Sequence, residues 1–94
     1  MKRVLIGLLV ITSISNANYL TDGLKASRAG NYIKAKELFE KSCNKGNNGG
    51  CHNLGILYLS GNGVKEDKNK AKKLFKKACD NGRIGACEYY KRIY

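Results

Sequence analysis

Proline is absent from these 94 residues, so no helix along the chain is broken by a missing backbone N–H. Histidine occurs once, at His52, and the four cysteines stand in two pairs with seven residues between the members of each. Zinc sites place cysteines roughly two to four residues apart and fill about four positions from Cys and His, so this pattern argues against a metal. Cys-x-x-Cys is missing too, which removes the usual catalytic redox pair. No phosphate-cradling loop and no acid/base pair can be picked out, and no cofactor is implied. No segment alternates polar and apolar residues for long enough to argue for a sheet. Acidic residues are few, seven against eighteen Lys and Arg, which leaves a formal net charge of +11.

No apolar run reaches the roughly 20 residues that a transmembrane helix needs. The run from Val4 to Ile14 is interrupted by Thr12 and Ser13. It follows a positive start at Lys2 and Arg3 and leads into Ser15-Asn16-Ala17, a small-x-small cleavage site, so residues 1–17 read as a signal peptide. No cysteine lies near the cleavage point, and nothing suggests a lipid anchor. The mature chain, 18–94, is expected to be secreted or periplasmic. It keeps sixteen basic and seven acidic residues, a net charge of about +9. Export argues against nucleic acid as a partner. The charge favours encounter with acidic proteins, anionic lipids or cell-wall polymers. Lys68, Lys70, Lys72, Lys73, Lys76 and Lys77 concentrate it on one segment. The plainer reading of those lysines is a solvated helix face.

Against these absences stands a bracket that occurs twice. "CNKGNNGGC" (43–51) returns thirty-six residues later as "CDNGRIGAC" (79–87). Aligned without a gap, "AKELFEKSCNKGNNGGCHNLGILY" (35–58) and "AKKLFKKACDNGRIGACEYYKRIY" (71–94) share ten of twenty-four positions, an internal duplication. Ala35, Leu38, Phe39 and Ser42 in the first copy match Ala71, Leu74, Phe75 and Ala78 in the second, at i, i+3, i+4, i+7, the face of a helix. The bracket itself is too rich in Gly and Asn for helix or strand, so each unit reads as helix, turn, helix. Five helices are predicted, near 18–29, 32–44, 50–60, 67–80 and 84–93.

Exported thiols pair, and four cysteines allow three pairings. A bridge needs Cα atoms about 4.4–6.8 Å apart, which the two ends of a turn between antiparallel helices satisfy. Equivalent positions on stacked repeats are held about 8–10 Å apart or more. The expected bridges are therefore Cys43–Cys51 and Cys79–Cys87. Closing a loop of about nine residues removes roughly 2.5 kcal/mol of unfolded-state entropy in the chain-entropy model, a large increment for so small a core.

The stretch "NLGILYLSGNGVKEDKNKAKKLFKKAC" resembles the Sel-like repeat, a relative of the tetratricopeptide repeat, through Leu54-Gly55, Leu57-Tyr58, Gly61, Gly63-Val64, Lys70-Ala71 and Phe75. The cysteine pairs are similar to the cysteine-rich branch of that family found in Helicobacter and its relatives. Gly23, Tyr32, Ala35 and Phe39 match the small and aromatic packing positions of the tetratricopeptide motif. The resemblance implies an all-α, right-handed solenoid of αα-hairpins, about two and a half repeats with one disulfide per hairpin. It also implies a protein-interaction role and, from the cysteine-rich branch, β-lactam binding or β-lactamase activity. Gly55, Ala35 and Ala71 would let helix axes approach, with Phe39, Tyr58 and Phe75 filling the space between hairpins.

In such arrays the first helix of each hairpin lines a concave groove. Leu20 and Leu24 on the first helix, His52, Ile56 and Leu59 on the third, and Glu88 and Arg92 on the fifth are the candidate ligand-binding residues. His52, Ile56 and Leu59 form a second apolar stripe whose other reading is packing against the neighbouring hairpin. An extended peptide or a partner helix is the expected ligand. A second copy of the chain, or another partner, would also cover the exposed ends of so short a stack. "SCNK", Ser42 to Lys45, has the Ser-x-x-Lys form of penicillin-interacting serine enzymes, but the companion Ser-Asp-Asn and Lys-Thr-Gly motifs are missing. Ser42 aligns with Ala78, which suggests a small packing residue instead.

Overall fold

The computed structural model describes residues 19–93. The expected signal segment, 1–17, and the terminal Tyr94 lie outside them. Every regular element among the described residues is helical: α1 (19–28), α2 (Tyr32–Asn44), α3 (Asn48–Ser60), α4 (Lys68–Asp80) and α5 (Ile84–Arg92). Each of α2, α3 and α4 packs against the helix that follows it, giving the stacked hairpins that the duplication predicts.

Local chemistry sets the helix ends. Asn31, Asn47 and Asp67 cap α2, α3 and α4, their side-chain oxygens accepting from the backbone N–H of Lys34, Gly49 and Lys70. At the other ends one closure recurs. Gly30, Gly46, Gly61 and Gly82 adopt φ of 81°, 91°, 76° and 103°, a left-handed geometry that costs glycine little. The next residue in each case, Asn31, Asn47, Asn62 or Arg83, donates its N–H to the carbonyl five positions back, at Ala26, Ser42, Leu57 or Ala78. The four helix exits are thus near copies of one another.

The predicted boundaries hold within two residues, and the largest departure is informative. α3 begins at Asn48 rather than 50, so the glycine pair read as loop belongs to the helix. Low helix propensity is overridden there by close approach. A Cβ on Gly49 would lie 2.8 Å from Cδ2 of Leu20, and one on Gly50 would run into the Ser42 side chain.

The core follows the repeat. Ala35, Phe39, Cys51, Ala71, Phe75 and Ala78 are almost wholly buried, with Leu54, Leu57 and Tyr58 beside them. Two glycine-to-phenylalanine contacts fix the spacing between helices. A Cβ on Gly23 would meet the Phe39 ring at 2.6 Å, and one on Gly55 would meet the Phe75 ring at 2.9 Å. The corresponding position of α5 holds Lys91, so this socket is not repeated a third time. The two bridges are Cys43–Cys51 and Cys79–Cys87, with Cα atoms 4.5 and 4.7 Å apart, the local pairing expected. Asn48 donates from Nδ2 to the Asn81 carbonyl at 3.0 Å and so ties one bracketed turn to the next.

Gly55→Ala should destabilise the fold, although alanine is the better helix former. Phe75 is fully buried and has no room to yield. A loss of about 1–3 kcal/mol in urea denaturation is expected from overpacking; a gain would show that the socket is slack. The two bridges should also differ in reactivity. Cys43 and Cys51 are buried whereas Cys79 and Cys87 are partly exposed, and thiol exchange requires access. Graded dithiothreitol followed by alkylation and mass mapping should label Cys79 and Cys87 first.

Candidate functional site

The groove residues are distributed unevenly. Leu20 is half-buried against Gly49, so it is occupied in joining α1 to α3. Leu24, Ile56 and Leu59 are half-buried, resting on the core and retaining an open edge. Glu88 is exposed on α5. His52 departs from the groove reading. Its side chain is buried, with ring centroids 5.5 Å from Phe75 and 5.3 Å from Tyr89, both edge-on, while Phe75 and Tyr89 stack on each other at 4.8 Å. Of the two expectations for His52, packing against the neighbouring hairpin describes its place. Because Tyr89 lies on α5, the three rings join α3, α4 and α5 in one aromatic cluster.

Leu59 and Arg92 do converge. Together with Lys68, Tyr89 and Ile93 they line a cleft of about 290 Å³ where α3 ends, α4 begins and α5 ends. Leu59, Tyr89 and Ile93 supply apolar surface, Lys68 and Arg92 supply positive charge, and no lining residue is acidic. Ile93 matches Leu57 of the preceding unit, so the duplication carried a signal for it. Tyr89 matches Asn53, a polar residue, and alignment alone could not have marked it as part of an aromatic cluster.

A second cleft, about 390 Å³, lies between α4 and α5 and is lined by Asn69, Lys72, Lys73, Lys76 and Tyr90. The α4 lysines are more than a solvated stripe. Lys70 Nζ stands 4.7 Å from the Tyr58 ring centroid and Lys72 Nζ 5.4 Å from that of Tyr90, positions that let an ammonium cover an aromatic face. Lys76 pairs with Asp80 at 2.9 Å, and the hydrogen bond raises its pKa.

Catalytic geometry is missing where the sequence offered a candidate. Ser42 is completely buried, and its hydroxyl has no hydrogen-bond partner. Lys45 is exposed in the turn. A nucleophile must reach its substrate, and Gly50 packs directly over this hydroxyl. Ser42 therefore fills the small packing position that Ala78 fills in the second unit. Among the described residues no group of three or more His, Cys, Asp or Glu side chains is placed to hold a metal ion, and no helix is long and apolar enough to cross a membrane.

A family model described as the Sel1 repeat matches residues 17–47 and 49–82, well over half of the sequence. The chain belongs to the Sel1 repeat family. This Sel1 repeat chain is 37% identical over 72 residues to HcpE and 42% identical over 48 residues to HcpC, both of Helicobacter pylori strain J99 and both carrying a provisional beta-lactamase name. These matches take in 69% and 51% of the chain but only 20% and 17% of the two relatives, so the chain spans about a fifth of their length. A shorter match, 54% identical over 37 residues, is to the ERAD-associated E3 ubiquitin-protein ligase component HRD3B of Arabidopsis thaliana, covering 39% of this chain and 6% of that protein.

The buried histidine predicts a pH dependence with a definite sign. Burial first, and the Arg83 guanidinium second, lower the His52 pKa below its usual 6.5. Above that value both folded and unfolded chains hold a neutral ring. As pH falls through it the unfolded chain takes up a proton before the folded one, so stability declines until the lowered folded-state pKa is passed. His52 is the only histidine. Urea midpoints should therefore fall between about pH 7.5 and about pH 5.5, where carboxylates stay ionised, and His52→Leu should flatten that fall. Equal slopes would place the titration elsewhere.

Proposed function

We propose that this chain is an exported, disulfide-stabilised helical repeat module that binds a protein or peptide along the face formed by α1, α3 and α5. The observation that carries this reading is the open apolar edge of Leu24, Ile56 and Leu59, which leads into a cleft bordered by Lys68 and Arg92 and holds no reactive group. Sel1 repeats typically serve protein interaction. Residues 1–17 act as the signal peptide and 18–94 as the functional domain, in the periplasm or outside the cell. Two disulfides and kinship with HcpE and HcpC support an extracytoplasmic setting. The positive surface favours acidic or cell-envelope partners, and association of two copies is a further mode of interaction.

β-Lactam hydrolysis is the competing reading, and its support is the naming of those relatives. Burial of the Ser42 hydroxyl weighs against it. Oxidised, metal-free protein is expected to leave nitrocefin intact. Titration of the isotopically labelled protein with short acidic peptides rich in Leu should shift amide resonances of Leu24, Ile56, Leu59 and Arg92. Nitrocefin turnover abolished by Ser42→Ala, or shifts confined to the outer helices α2 and α4, would overturn the module reading.

A further inference from the structure

We propose that the cleft formed by Leu59, Lys68, Tyr89, Arg92 and Ile93 captures the free C-terminus of an extended peptide whose last residue is apolar. This sharpens the interaction reading, on which it rests, by assigning the ligand class and the residues that select it.

Three observations carry it. First, both kinds of recognition group occupy one small space: the apolar sides of Leu59, Tyr89 and Ile93 and the cations of Lys68 and Arg92. A volume of about 290 Å³ suits a terminal residue better than a run of several side chains. Secondly, among the described residues neither cation is held in an ion pair, not even with Glu88 one turn before Arg92. The ion pairs among the described residues are Lys36–Glu40 and Lys76–Asp80. Asp67, the acid next to Lys68, turns its carboxylate to cap α4, accepting from the Lys70 N–H at 3.0 Å. Thirdly, the end of a chain solves a geometric problem that an internal acid does not. Successive side chains of an extended peptide point to opposite faces, so an internal Asp or Glu shares a face with an apolar residue only from two positions away, about 7 Å along the strand and too far apart for one small cleft. A terminal residue carries its side chain and its carboxylate on the same Cα.

Recognition then divides into two parts. The apolar side chain displaces water from Leu59, Ile93 and the ring of Tyr89, while the carboxylate accepts charge-assisted hydrogen bonds from Arg92 and Lys68. Tyr89 is held for this by its stack on Phe75 and its edge contact with His52, so the apolar wall is set in place by the core and is not a mobile surface ring.

Fluorescence anisotropy with the oxidised protein tests the assignment. The probes are an N-terminally labelled Ser-Ala-Ser-Ala-Leu peptide with a free carboxylate, its C-terminal amide, and an amidated peptide with Asp inside the sequence. The free acid should bind saturably and the amide about tenfold more weakly, the loss of roughly one charge-assisted interaction. Lys68→Ala and Arg92→Ala, both at exposed positions, should each weaken the free acid several-fold, with helicity by circular dichroism unchanged. Lys73→Ala, in the other cleft, should have no effect. Equal binding of acid and amide, equal binding of the internal-Asp peptide, or equal loss with Lys73→Ala would overturn the assignment, the last by exposing diffuse charge attraction. No binding of the free acid would overturn it as well. The broader module reading is decided separately, by resonance shifts along Leu24 and Ile56, which lie outside this cleft.

Discussion

Two aromatic rings seated on two glycines set the distance between successive helix layers, and most of the structure follows from that distance. Phe39 lies against Gly23 and Phe75 against Gly55, each ring within the space that any larger side chain would claim. The pairing draws α1 onto α2 and α3 onto α4, and it leaves α2 and α3, or α4 and α5, to be joined through their turns. There the disulfides act. Each spans two helix ends whose Cα atoms are less than 5 Å apart. The rings fix helix separation and the bridges fix hairpin closure, so a short stack is held by two different means.

Repetition was legible in the sequence because chemistry and spacing agreed. Ala35, Phe39 and Ser42 recur as Ala71, Phe75 and Ala78, and all six are buried. The cysteine brackets yielded the local pairing because a helical turn brings its ends close while stacked units stay farther apart. Glycine was harder to read. Gly49 and Gly50 looked like loop residues on propensity, yet they form the first turn of α3, since only the absence of a side chain lets Leu20 and Ser42 approach. Propensity describes an isolated segment, and here packing prevailed.

The groove was legible in outline only. Helical periodicity could place His52, Ile56 and Leu59 on one stripe, but it could not tell how deeply each would lie. The answer depends on Tyr89, which comes from a position that is Asn53 in the preceding unit and which closes over His52. A departure from the repeat thus buries His52, one of the residues expected to line the groove. It also builds the apolar wall of the cleft beside Arg92. Lys68 gained its meaning in the same way. As one of six lysines it belonged to a charged face, and only the fold sets it opposite the end of α5.

What the repeat contributes is a common shape. Stretches similar to this chain occur in relatives whose names point to quite different activities, beta-lactamase and ubiquitin-protein ligase component. A shared scaffold with divergent names is expected when function resides in surface side chains supported by a common core. In this chain the alanines and phenylalanines common to the two units are interior and hold the layers together. Positions where the units differ, such as Tyr89 and Arg92, are the exposed ones at the cleft. The departures from the repeat thus supply exposed side chains at the cleft, whereas Ser42, which departs from Ala78, stays buried.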